Sequence, residues 1–421
     1  MEKFQSKIAR SPDFVLSADQ VTADIEQLIT FTEDVHPLFL KGLPKYSFLT
    51  DFWEGYEIAK ANLLKMCGQP ATVAELKYEV YKYISSLNDA HAVIFDLPIS
   101  QLDIDWEWID GKLYLLDENG KLTDKEVVSL GNVPIETLIQ EANIVFPSEN
   151  EIGKEYNAKV YAKSKVILQH FGIESSSGTT VEYLENNQIK QMDCTYTNFQ
   201  NGKEDKRTYL ELIDDDIVYI SLEDFAYAKT GLGELKNIID DIEEYKKMGI
   251  ENYIVDLADN GGGIVPYADD LMHALGIEKI PRGEFIARMS PLSQSQTGYI
   301  RSEGKGVVKA SPSVRRDENI NIYILMNEES FSLAQMFAIR LSDSNAATII
   351  GRPSRQGTSF FCNPIYFELN YSGIDGRVTS GIAIRPDEEK VEEPILQPDV
   401  YVNKTEDIVQ TAVDYIRKQS K

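Results

Sequence analysis

From residue 217 onward the chain alternates short apolar runs with amphipathic segments, and nothing else in it constrains the fold as strongly. Residues 217–220 read as a strand, and Leu235, Ile238, Ile239 and Ile242 recur at helical spacing. Residues 253–257 read as a buried strand and 267–275 as a helix. After a longer excursion the order repeats: 322–326 as a strand, 333–341 as a helix, 347–350 as a strand. Such alternation predicts a sheet with helical crossovers, an α/β core. Ligands in these cores sit at the carboxyl ends of the strands. Two segments fall at that edge: the glycine run Gly261-Gly262-Gly263, and Ser332.

Ser332 lies between an apolar strand and a helix start. A serine there is a favoured N-cap. It also has the placement of a nucleophile, because the N–H groups that follow lack helical partners and can face a developing oxyanion. The run Asp259-Asn260-Gly261-Gly262-Gly263 follows a strand and precedes a helix. Its glycines let backbone approach a ligand closely. It reads as a tight turn, a phosphate cradle or an oxyanion hole. No Walker lysine follows, and the dinucleotide spacing is missing.

A serine nucleophile needs a base, and the chain has four histidines. His36 precedes Pro37 at a helix end, His170 lies in a mixed apolar stretch, and His273 follows the glycine run at a position that packing explains. His91 emerges just past a helix end, where Asn88 and Asp89 break the periodicity. It can satisfy end carbonyls there or act as the base. The segment 351–357 after the nucleophile strand offers Arg352 and Arg355 but no lysine, and arginine stays protonated. The base is therefore expected to be a histidine. The acidic run of Asp387, Glu388, Glu389, Glu392 and Glu393 reads either as a solvated loop or as the source of an orienting carboxylate.

Ahead of the core, residues 1–100 read as helical. Ser17 with Gln20 and Thr72 with Glu75 form capping boxes, a further pattern spans 48–66, and Pro37 stops the first helix. From 101 to 210 short strands are expected, with Asn119-Gly120 and Asn201-Gly202 as hairpin tips and a strand, turn and helix start over 126–135. Three regions follow: 1–100, 101–210 and 211–421. The net charge of −26, spread along the chain, repels phosphate backbones and makes nucleic acid a poor partner. Three scattered cysteines form neither a disulfide framework nor a metal knuckle. No apolar run reaches membrane-spanning length, and residues 1–5 lack a signal core. The expected setting is cytoplasmic, or exported with a leader removed.

Together these segments resemble the C-terminal processing (tail-specific) serine peptidase family. Residues 256–263 resemble its oxyanion segment, 327–338 its nucleophile segment with Ser332 at the reactive position, and 347–358 the strand and loop that follow. Where the processing branch places a lysine in that loop, this chain has Arg355 and Gln356. It is more similar to the branch of the tricorn core, chlamydial protease-like factor and the interphotoreceptor retinoid-binding protein repeats, whose base is a histidine in an Asp-Gly-His-Thr-like motif. Here that motif reads Asn88-Asp89-Ala90-His91-Ala92, with glycine and threonine replaced, and residues 33–37 resemble an early motif of the same branch. Residues 391–399 resemble its late Glu and Val-x-Pro-Asp-like end, which assigns the acid role to Glu392 with Glu393 as neighbour.

The resemblance implies a crotonase/ClpP-like ββα core, an N-terminal helical domain and a degenerate PDZ-like middle region. It implies a serine endopeptidase acting on peptides or unfolded protein, with catalytic Ser332, His91 and Glu392 and oxyanion donors from Gly262, Gly263 and Leu333. No cofactor or metal is expected, and a homodimer is left open. The alternatives are a non-catalytic protein holding a peptide or apolar ligand on the same fold, and an acyl-CoA enzyme. Against the latter stands the absence of a basic cluster.

Overall fold

In the computed structural model, which describes residues 10–95, 100–173, 178–198, 208–225 and 233–419, the alternation from 217 onward builds a mostly parallel sheet. Its strand order is Tyr209–Ile213, Ile217–Ser221, Asn252–Asp256, Asn321–Met326, Thr348–Gly351 and Val400–Tyr401. Only the first pair is antiparallel. Side chains alternate across the pleat. Val218, Ile220, Tyr253, Val255, Ile322, Ile324 and Met326 join one buried cluster with Ile242, Leu271, Met272, Phe337 and Leu341 from helices Gly233–Lys247, Val265–Ala274 and Leu333–Asp343. Ile217, Tyr219, Ile254, Tyr323, Leu325 and Ile350 join a second cluster with Ala412, Val413 and Ile416 of helix Ile408–Gln419. Burial on both faces explains why these strands read as continuous apolar runs. Each fully buried large aliphatic side chain contributes about 1.5–3 kcal/mol.

The chain divides into two compact units. The first comprises Met1–Asn201, Arg288–Gly304 and Asn363–Ser380, and the second Gly202–Ala287, Lys305–Cys362 and Gly381–Lys421. The second holds the parallel sheet.

In the first unit, both capping boxes form as expected and open helices Ala18–Val35 and Val73–Ser85. The 48–66 pattern is not one helix but two, Ser47–Thr50 and Trp53–Leu64. Phe52 and Trp53 straddle the break, with ring centroids 4.3 Å apart. An antiparallel sheet runs Gln188–Cys194, Thr179–Glu185, Leu122–Leu130, Lys112–Leu116, Trp106–Ile109, with Asn119 and Gly120 in the turn after Lys112–Leu116. The Asn201-Gly202 turn lies outside the described residues. The helix start expected at the end of 126–135 opens Ile135–Val145, whereas 146–170 corrects the expectation of short strands there, because it holds helices Glu151–Tyr161 and Lys165–His170. Asn150 and Ser164 cap the second and third, accepting from the Gly153 and Ile167 N–H groups. Those two residues were the start signals in the sequence.

Candidate active site

Ser332 ends the loop between strand Asn321–Met326 and helix Leu333–Asp343. Its backbone sits at φ 57°, ψ −116°, and its side chain makes no capping hydrogen bond. Non-glycine residues enter the positive-φ region at a cost of roughly 1–3 kcal/mol, and do so mainly where the surroundings over-determine them. Here the surroundings do so. The Ser332 N–H donates to the side-chain oxygen of Gln356, which is fully buried. The Phe331 N–H donates to Asn260 O at 2.9 Å. Ser330 Oγ donates to Leu257 O at 2.7 Å, and Ser354 Oγ to Ser330 O at 2.6 Å. Asn327 Nδ2 donates to Asp259 Oδ1, and the Asp259 N–H to Asn327 Oδ1, both at 3.0 Å. Three loops at the carboxyl ends of three parallel strands are thus stitched around one serine.

Gly262 lies directly over that serine. A Cβ added to it would meet Ser332 Cβ and Leu333 N at 2.7 Å and Phe331 O at 2.8 Å, and its φ is +98°. Only glycine fits so close. Its N–H, however, donates to Asn260 Oδ1 at 2.8 Å, an Asx turn that the sequence signals by asparagine two residues before glycine. Gly262 as placed therefore supplies close approach, while its donor is engaged. Asn260, fully buried, is held in turn by Nδ2 donating to Leu222 O. Gly263 bridges Phe225 through its neighbours: Phe225 N–H donates to Gly262 O, and Ile264 N–H to Phe225 O. That pairing turns the Gly263 N–H away from Phe225. Leu333 is the first helical residue, and among the described residues no protein acceptor takes its N–H.

Glu392 is exposed, just past the short helix Glu388–Lys390. Glu393 accepts from Arg385 Nη1 at 3.1 Å. Arg385 itself is buried and clamps Asp343 by Nε at 3.1 and 3.0 Å and Nη2 at 2.8 Å, which fixes where the acidic segment starts.

His91 belongs to the first unit, where it is 6% exposed. It lies in the turn after helix Val73–Ser85, beyond Asn88 at φ 50°. Asp89 organises that turn. Its Oδ1 accepts the His91 backbone N–H at 2.8 Å, and its Oδ2 accepts from Thr379 Oγ1 at 2.7 Å and meets His36 Nε2 at 3.2 Å. Burial alone would raise the Asp89 carboxyl. The bond and charge of His36, the charge of His91 and the Thr379 bond together outweigh burial and hold it below the usual range. Glu149 Oε1 accepts the Ala90 N–H at 3.0 Å, and Arg377 Nε donates to His91 O at 2.9 Å. The other histidines have structural partners: His36 on Asp89, His170 stacked on Tyr78 at 4.2 Å, and His273 Nδ1 on Ile277 O at 2.7 Å. Sequence reasoning singled out Ser332, Leu333 and the glycines but missed Asn260, Gln356 and Glu149, whose roles arise from contacts across the fold.

The model of peptidase family S41 matches residues 216–402, which contain Ser332, the glycine run and Glu392. No curated protein matches the chain by sequence. Among solved structures, the chain is similar in fold to mature CPAF at 14% identity, with 90% of this chain and 92% of that chain covered and a TM-score of 0.58. Mature CPAF complexed with lactacystin matches at 15% identity, over 94% of this chain and 97% of that chain, with a TM-score of 0.60. No helix among the described residues is long and apolar enough to cross a membrane. The family match spans both the glycine run and Ser332, and the chain is a serine-type peptidase similar over that stretch to family S41.

Proposed function

We propose that this peptidase cuts within peptides or unfolded proteins through an acyl-enzyme on Ser332, with His91 as base, in the histidine-using branch of its family. The observation that carries the reading is Ser332 itself: a serine at φ 57° whose side chain leaves the helix cap, with Gly262 against its Cβ. The loop 351–358 holds no lysine, and Gln356 there accepts the Ser332 N–H, which supports a base from elsewhere in the chain.

In the reaction, His91 accepts the Ser332 proton as Oγ attacks the peptide carbonyl. The tetrahedral oxyanion accepts from the N–H groups of Leu333 and Gly263, and from Gly262 once Asn260 releases it. The imidazolium then protonates the leaving amine, and water, deprotonated by the same imidazole, hydrolyses the ester. The family resemblance offers Glu392 as the carboxylate that orients the imidazole and balances its charge. Losing one oxyanion donor typically costs ~100- to 1000-fold in turnover.

The test is digestion of an unstructured protein followed by mass spectrometry. The wild type is expected to release internal fragments, and Ser332→Ala none. Fragments from a folded Ser332→Ala protein would end the proposal. A folded wild type that binds peptides without cutting them at any pH would favour the ligand-holding alternative.

A further inference from the structure

His91 needs a carboxylate near its ring, and the first unit supplies one that the family resemblance does not point to. A His91 ring nitrogen, an Asp89 carboxylate oxygen and a Glu149 carboxylate oxygen lie within 4.8 Å of one another. The two acids differ in what else they do. Asp89 Oδ1 takes the His91 main-chain N–H, and Oδ2 takes Thr379 and faces His36, so this carboxylate is committed to building the turn. Glu149 comes from the segment between helices Ile135–Val145 and Glu151–Tyr161, and its Oε1 is tied to the Ala90 N–H at 3.0 Å. That bond fixes the glutamate to the residue adjoining the histidine, so its carboxylate moves with the ring it accompanies.

We propose that Glu149 is a positioning residue for His91, holding the imidazole's orientation and stabilising its protonated form during turnover; the inference rests on His91 being the base of the peptidase reaction. The charged groups facing His91 from the elements around it are Asp89 from its own turn, Glu149 from the interhelical segment and Arg377 from strand Asp375–Ala383, with His36 beyond Asp89. Arg377 is bonded to the His91 carbonyl, on the main chain. Among the described residues, Asp89 and Glu149 bring carboxylates to the ring, which favour the imidazolium. In the chemistry proposed, the proton passes from Ser332 Oγ to His91 and on to the leaving amine. Glu149 stays ionised throughout and exchanges no proton.

The test compares Glu149→Gln, Glu149→Asp and Glu392→Gln in the pH profile of kcat/KM. Glutamine keeps an acceptor for the Ala90 N–H, so the turn is retained while the charge is lost. Glu149→Gln is expected to move the acid limb down by about half to one pH unit. It is also expected to lower the plateau at least about 10-fold. Glu149→Asp should show a smaller shift in the same direction, which keeps the test alive should the glutamine variant fold poorly. A plateau loss with the limb unmoved in both variants would reduce Glu149 to a scaffold and overturn the inference. A limb that moves only in Glu392→Gln would overturn it too, assigning the imidazole's carboxylate to Glu392. Full turnover in His91→Ala would instead remove the base on which the inference stands, a result distinguishable from either of these.

Discussion

Ser332 departs from ordinary helix-start geometry, and each departure has a neighbour that enforces it. Gln356 takes its N–H, Asn260 takes the N–H before it, and Gly262 presses on its Cβ. The Ser332 position was legible because strand, helix and glycine run are local patterns. Gln356's role was not, because its side chain reaches back 24 residues to act, and its own segment marked it only as standing where the resemblance would place a lysine. Gly262→Ala tests the close approach. The new methyl would lie 2.7 Å from both Leu333 N and Ser332 Cβ, on a residue at φ +98°. We expect turnover to fall at least about 100-fold, with stability lower by about 1–3 kcal/mol, measured by peptide hydrolysis and denaturant unfolding. An alanine variant of wild-type activity would mean that the glycine run does not line the reacting centre.

At the level of elements, strands and helices of the parallel sheet followed from periodicity, and two capping boxes fixed helix starts to the residue. The helices over 151–170 were obscured because their start signals, Asn150 and Ser164, are single capping residues among short segments. The acidic segment read as a solvated loop or a source of catalytic carboxylate, and the fold adds a third feature, its anchor. Arg385 is buried against Asp343 and also donates to Glu393 and to the Lys390 carbonyl. Removing one partner of a buried pair leaves the other charge without compensation, typically at about 3–5 kcal/mol. Arg385→Ala should therefore lower unfolding free energy by about that much in urea titration, with Asp343→Ala similar and the double variant less than additive. Full additivity would show that the two side chains are not energetically paired.

For the whole molecule, the charge of −26 disfavours phosphate backbones as partners but carried no information on the buried charges that set its acid stability. Asp89 is one of these. Its folded-state carboxyl is held below the unfolded value of about 3.9, so its contribution is fully present above that pH and is lost as pH falls through the depressed folded value. Asp89→Asn should accordingly be less stable than the wild type at pH 7, by about 3 kcal/mol. The gap should close as pH falls below about 4. Denaturant unfolding across that range checks the sign, and a gap that stays constant with pH would contradict it. The central claim, that Ser332 is the nucleophile, is met most directly by treating the intact protein with a fluorophosphonate and mapping the adduct by mass spectrometry. A single adduct on Ser332 is expected, absent in Ser332→Ala and sharply reduced in His91→Ala. A folded, active enzyme labelled on another residue, or carrying no label at all, would contradict it.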